Sequence, residues 1–167
     1  SNETALEYYK QALTLSPAAE ELIELHLKSG EILSMIGSRN DARMHFDAAL
    51  QAALQNNLAE QIVESQIRYA GTCENYEQSI EWLNKAHELA LQIQYSVGIC
   101  DVYRELCNAT WRLGNYEKAL QHAQQSLEIA RQINDRKREA TALFFLASIE
   151  SERANYAVGQ KYFEESH

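Results

Sequence analysis

The sequence predicts an all-α fold, an array of antiparallel helix hairpins stacked as a solenoid. Three observations carry this. A short motif, Asn followed by Tyr, stands at Asn75-Tyr76, Asn115-Tyr116 and Asn155-Tyr156, forty residues apart each time. Fixed-period self-similarity of that size marks a helical repeat. Apolar and small residues on both sides of the motif recur at steps of three and four, the spacing of one helical face. One Pro and six Gly in 167 residues are too few for a turn-rich β protein.

The central hairpin is the clearest. Val102, Tyr103, Leu106, Cys107, Thr110 and Leu113 form one stripe, and Tyr116, Ala119, Leu120, Ala123, Leu127 and Ala130 form another. Gly114 and Asn115 between them suit a tight turn, since both tolerate positive φ. Helices are therefore expected over about 97–113 and 116–134. Upstream, Gly37 stands for Gly114, and Ala42, Phe46, Ala49 and Leu50 follow at the offsets of Ala119, Ala123, Ser126 and Leu127. This places helices at about 18–36 and 39–56, started by Ser16-Pro17 with Glu20 and Glu21 favourable in the first turn. Asn56-Asn57 and Asn134-Asp135 break the pattern. The third hairpin pairs about 58–72 with 76–94, and the last begins near 137 and turns at Ala154-Asn155. Residues near 3–15 read as a lone second helix.

These residues resemble the tetratricopeptide repeat (TPR) family. Gly30, Gly37, Ala42, Phe46 and Ala49 carry its pattern in one unit, Ala5, Tyr9, Ala12 and Pro17 carry its second half in the first, and Gly114, Tyr116 and Ala119 carry it in the fourth. There are departures. The spacing is 37 or 40 residues against a usual figure of about 34. Only the first unit has the closing Pro, Ser79 and Gly159 replace the helix-B Ala, and Cys107 replaces the helix-A Gly. The chain looks like the longer-helix variety of the family. The resemblance implies a right-handed superhelical solenoid. The array would occupy 1–167, with 1–17 the second helix of a partial repeat, repeats at 18–57, 58–96 and 97–136, and a truncated repeat at 137–167. Neither end reads as a polar cap, so a fragment of a larger protein is expected.

The formal net charge of −9 argues against nonspecific binding of nucleic acid or an anionic membrane, which need a basic footprint. No apolar run reaches membrane-spanning length and no secretory signal stands at the start, so the expected place is cytoplasmic. Cys73, Cys100 and Cys107 have no metal-like spacing and read as small packing residues. His26, His45, His87 and His122 are scattered, with His45 and His122 in the same helix-B slot; no pair has the sequence spacing of a metal site. There is no phosphate loop, HExxH, Cys-x-x-Cys or Gly-x-Ser-x-Gly. The expectation is a non-enzyme without cofactor or metal.

In such an array the first helices line a concave groove. Their stripe opposite the core contains Met35 in the second unit, Glu64 and Arg68 in the third, Asp101, Arg104, Asn108, Trp111 and Arg112 in the fourth, and Phe144 in the fifth. The resemblance implies that an extended peptide is held there. Arg forks match carboxylates and Trp is a favoured anchor, so the expected partner is an acidic or C-terminal-carboxylate peptide or protein segment. The bland reading keeps Arg104 with Asp101 and Arg68 with Glu64 as ordinary helix-surface pairs. The leading function is an adaptor or scaffold module within a larger regulatory protein. Alternatives are a spacer self-associating through the array ends, around Phe144, Tyr162 and Phe163, and a peptide sensor controlling an attached effector.

Overall fold

The computed structural model describes residues 2–15 and 17–166. Among these are nine α-helices and no strand: α1 Asn2–Leu13, α2 Ala19–Met35, α3 Arg39–Gln55, α4 Ala59–Ala70, α5 Tyr76–Gln92, α6 Ser96–Arg112, α7 Tyr116–Gln132, α8 Arg136–Glu152 and α9 Tyr156–Glu165. They form two compact units, one ending at Glu74 and one beginning at Asn75. That boundary falls inside the expected repeat 58–96, between α4 and α5.

In the first unit α2 and α3 pair as a hairpin, and α4 packs on α3 and touches α2. Its core is Ile23, Ala49, Ala52 and Ala53, with Leu22, Leu27, Leu58 and Ile62 packed around them. In the second unit α5 through α9 each pack on the next, and α6 also touches α8. Its main core joins Cys107, Ala119, Leu120, Ala123 and Leu127 to Ala142, Leu143, Leu146 and Ile149. Helices of this length bury a stripe rather than a whole surface, so small residues at the crossings let neighbouring axes approach.

Six helices of 17 residues, α2, α3, α5, α6, α7 and α8, end in the same way. A residue of positive φ follows the last turn: Gly37 (83°), Asn57 (54°), Gln94 (56°), Gly114 (77°), Asn134 (55°) and Ala154 (64°). At each, two backbone N–H groups turn back to otherwise unpaired carbonyls, as Gly114 N does to Trp111 O (2.8 Å) and Asn115 N to Thr110 O (2.9 Å). Gly114 thus carries the left-handed turn by itself. Asn115, expected to share it, has φ −88° and is the N-cap of α7, its Oδ1 accepting from Lys118 N. Asn75 caps α5 in the same manner and Asp135 caps α8. At two of its three occurrences, Asn75 and Asn115, the recurring Asn is therefore a helix-starting device that satisfies a first-turn N–H, whereas Asn155 makes no such cap bond.

Other expectations shift. Leu113 and Tyr116, placed in the core stripes, lie outside them and are exposed. Pro17 precedes the cap residue Ala18 rather than opening the first turn of α2, and Ser16 lies outside the described residues. Helix α4 has 12 residues rather than the expected run to 72. Gly71 closes it in a right-handed conformation, and Thr72 Oγ1 donates to Tyr69 O at 2.7 Å, competing with helix continuation.

The departures at the helix-A glycine are compensated. A Cβ on Gly30 would stand 2.5 Å from Cε1 of Phe46. Cys107 replaces Gly30 in the later hairpin, and Ala123 stands where Phe46 does. Both are buried. Large against none has become medium against small, which conserves volume across the crossing.

Candidate functional site: the A-helix faces

On α6, Cys100, Val102, Leu106, Cys107, Ala109 and Thr110 are buried, leaving one arc for Asp101, Arg104, Asn108, Trp111 and Arg112. The neighbouring A-helix, α8, is tied to that arc at both ends. At one end Arg138 Nε and Nη2 donate to the two Asp101 carboxylate oxygens at 3.0 and 2.7 Å. Arg138 Nη1 also donates to Asp135 Oδ2 at 2.6 Å, and these partners hold the guanidinium firmly charged. At the other end Trp111 Nε1 donates to Glu152 Oε2 at 2.9 Å, and its ring meets Phe145 edge-on with centroids 6.0 Å apart. Between them lie Arg104, ion-paired with Glu105 at 2.7 Å and with Asp101 at 3.8 Å, and Asn108, half-buried. Arg112 lies over the Trp111 ring, 6.0 Å from its centroid, and is exposed.

Two of the adjacent phenylalanines behave differently. Phe145 packs inward against Trp111 and the core. Phe144, expected on the groove stripe, is 53% exposed and pairs edge-on with Phe163 of α9 at 6.1 Å, away from Trp111. Sequence reasoning does not single out Arg138, because charge at the start of a helix reads as solvation until its partner is seen.

In the first unit the corresponding face differs in charge. Arg68 pairs with Glu31 of α2 at 2.8 Å. Glu20, Glu21, Glu24 and Glu64 line a hollow of about 600 Å³ with Leu27 and Gln61. Met35 is 77% exposed near the end of α2. Among the groove residues expected in this unit Arg68 is the cation, and it is already paired.

His26, His45, His87 and His122 are half-buried. His26 of α2 and His45 of α3 face each other with their Nδ1 atoms 3.0 Å apart. In the second unit Tyr103 sits between His87 of α5 (centroids 4.9 Å) and His122 of α7 (5.9 Å). Burial pulls His87 below its ordinary pKa against the opposing pull of Glu88. Burial likewise lowers His122, with Lys118 and His87 adding to it and a hydrogen bond with Gln125 opposing. His87 Nε2 and His122 Nδ1 are buried and meet no hydrogen-bond partner among the described residues.

A histidine depressed in the folded state takes up its proton more readily when unfolded. Its stabilising contribution is therefore complete above pH 6.5 and is lost as the pH falls through the folded-state values. Urea-unfolding midpoints of the chain should fall between pH 7.5 and pH 5. They should fall less in the His87→Gln/His122→Gln variant; equal losses in both proteins would remove these two residues from the account.

Cys100 and Cys107 are buried packing groups, and Cys73 is half-buried. Burial raises both Cys100 and Cys107, the latter to about 12, far from a reactive thiolate.

Residues 98–167 match the family model described as tetratricopeptide repeat. Likeness of fold extends over nearly all of the chain. A Rap protein complexed with competence and sporulation factor is similar at TM-score 0.86 and 20% identity, over 96% of this chain and 47% of that one. The Rap conjugation gene regulator of a plasmid, in complex with a Phr peptide, gives TM-score 0.86 and 15% identity, over 96% of this chain and 46% of that one. A putative kinesin light chain from Podosopora anserina, with nearly identical TPR-like repeats, gives 0.65 and 14%, over 99% and 90%. The chain spans less than half of either Rap structure. No curated protein matches it in sequence. No helix among the described residues is long and apolar enough to cross a membrane.

Proposed function

We propose that the chain is a protein-interaction module, an adaptor or scaffold element of a larger cytoplasmic regulatory protein, and that α6 and α8 together hold a peptide or protein segment. The observation that carries this reading is the shared face of those helices. Trp111 is anchored by Glu152 and Phe145 rather than loose, with Asn108 and Arg112 open beside it. A pre-positioned aromatic flanked by an amide and a guanidinium suits an extended backbone bearing a carboxylate. The Phr peptide named with one of the Rap structures supports peptide binding as a use of this fold. Arg104 is already paired, so an incoming carboxylate would compete with Asp101 and Glu105 for it, whereas Arg112 offers its fork directly.

A displayed library of random peptides with free or amidated C-termini tests this. The expected result is enrichment of free or acidic C-termini, with affinity at least tenfold weaker for Arg104→Glu/Arg112→Glu. Equal binding by the charge-reversed protein would overturn the assignment. A second reading, self-association, is favoured by the exposed Phe144–Phe163 pair. It predicts dimers in sedimentation that disappear when Phe163 and Tyr162 are made polar.

A further inference from the structure

The His26–His45 pair has no role in the peptide-binding face. The two residues lie 19 apart in sequence and come from separate helices, and their Nδ1 atoms converge to 3.0 Å. The rings are tilted at 52° with centroids 5.1 Å apart. We infer that this pair is a two-nitrogen chelate for a divalent late transition-metal ion such as Ni²⁺, Cu²⁺ or Zn²⁺.

The geometry fits such an ion. Metal–imidazole bonds are about 2.0–2.1 Å, so two nitrogens on one ion stand about 2.9–3.4 Å apart at right-angled to tetrahedral geometry. The observed separation lies in that range, so binding asks for ring rotation rather than movement of α2 against α3. The backbone positions are well held. His26 is followed within one turn by buried Ser29 and Gly30, and His45 is next to buried Phe46, whose ring closes on Gly30.

There is also room and access. The two rings line a pocket of about 460 Å³ between α1, α2 and α3. Asp41, one turn before His45, lines the same pocket and can accept hydrogen bonds from metal-bound water. Lys10 lines it as well and opposes a cation. A nitrogen pair selects a borderline metal over the hard ions Mg²⁺ and Ca²⁺, which take oxygen ligands. Among the described residues no three or more His, Cys, Asp or Glu gather to enclose an ion. The site is therefore open, with water completing the coordination.

Titration calorimetry of the full chain with NiCl₂ tests it, in a Cys73→Ser background that removes a half-buried competing thiol. Saturable uptake of one ion per chain is expected. His26→Gln and His45→Gln should each weaken it at least tenfold, and His87→Gln should leave it unchanged. Should either variant fail to fold, the wild-type chain decides. Substoichiometric Ni²⁺ should broaden the ring NMR signals of His26 and His45 before those of His87 and His122. Unsaturable uptake, uptake unaffected by both substitutions, or simultaneous broadening of all the rings would overturn the inference.

Discussion

Replacing Gly30 by alanine will destabilise the first unit, although alanine is the better helix former. The gain in helix propensity is about 0.5–1 kcal/mol. Against it stands a Cβ that would approach three Phe46 ring atoms to between 2.5 and 2.8 Å. Phe46 is itself buried at 3% exposure, so its ring cannot swing aside into solvent. Overpacking of this kind costs about 1–3 kcal/mol. The loss should depend on the ring. Phe46→Leu will cost stability alone, but the Gly30→Ala/Phe46→Leu double variant should be more stable than the sum of the single losses by about 1 kcal/mol. Urea unfolding of the four proteins gives the cycle. Additive losses would mean that Gly30 serves some purpose other than admitting the ring.

Asp101→Ala will have the second large effect. Asp101 binds Arg138 through both carboxylate oxygens and so joins the exposed edges of α6 and α8. The two side chains are 23% and 29% exposed, between a surface pair and a buried one. Surface pairs contribute about 0–1 kcal/mol, and breaking a buried pair costs about 3–5. A loss of about 1–2 kcal/mol is expected, because Asp135 remains to hold Arg138 and water can reach the vacated site. Double-mutant unfolding with Arg138→Ala should show coupling. A loss indistinguishable from that of an exposed control such as Gln124→Ala would show the pair to be solvation.

Much of this was legible in the residues because it is local. The forty-residue recurrence of Asn-Tyr, and the three-four steps of Ala119, Leu120, Ala123 and Leu127, locate helices and their inner faces directly. The cap role of Asn115 is hidden in the sequence, because a residue that tolerates positive φ and one that caps a helix share the same short polar side chain. Only the backbone distinguishes them, and at Asn115 it gives the left-handed turn to Gly114. The early end of α4 depends on Thr72 bonding back to Tyr69, a choice that periodicity does not express.

The candidate face was half legible. The helical wheel of α6 gathers Asp101, Arg104, Asn108, Trp111 and Arg112 on one arc, and none of them is buried. What it cannot show is pairing between helices. Arg138 with Asp101, Arg68 with Glu31, and Trp111 with Glu152 join residues 37 to 41 positions apart, and these decide which charges are open to a partner. The same holds for His26 and His45, and for Phe144 and Phe145. Of two adjacent aromatics only one faces inward, and the neighbouring helix selects Phe145.

The most direct measurement is site-specific photo-crosslinking in native lysate. A photoreactive residue is placed at Asn108, on the proposed face of α6, or at Gln124, on the exposed side of α7. The account predicts a discrete protein adduct from position 108 that is lost in the Arg104→Glu/Arg112→Glu background, and none from position 124. An adduct from 124 with none from 108 would contradict it and place the interaction surface on the B-helices.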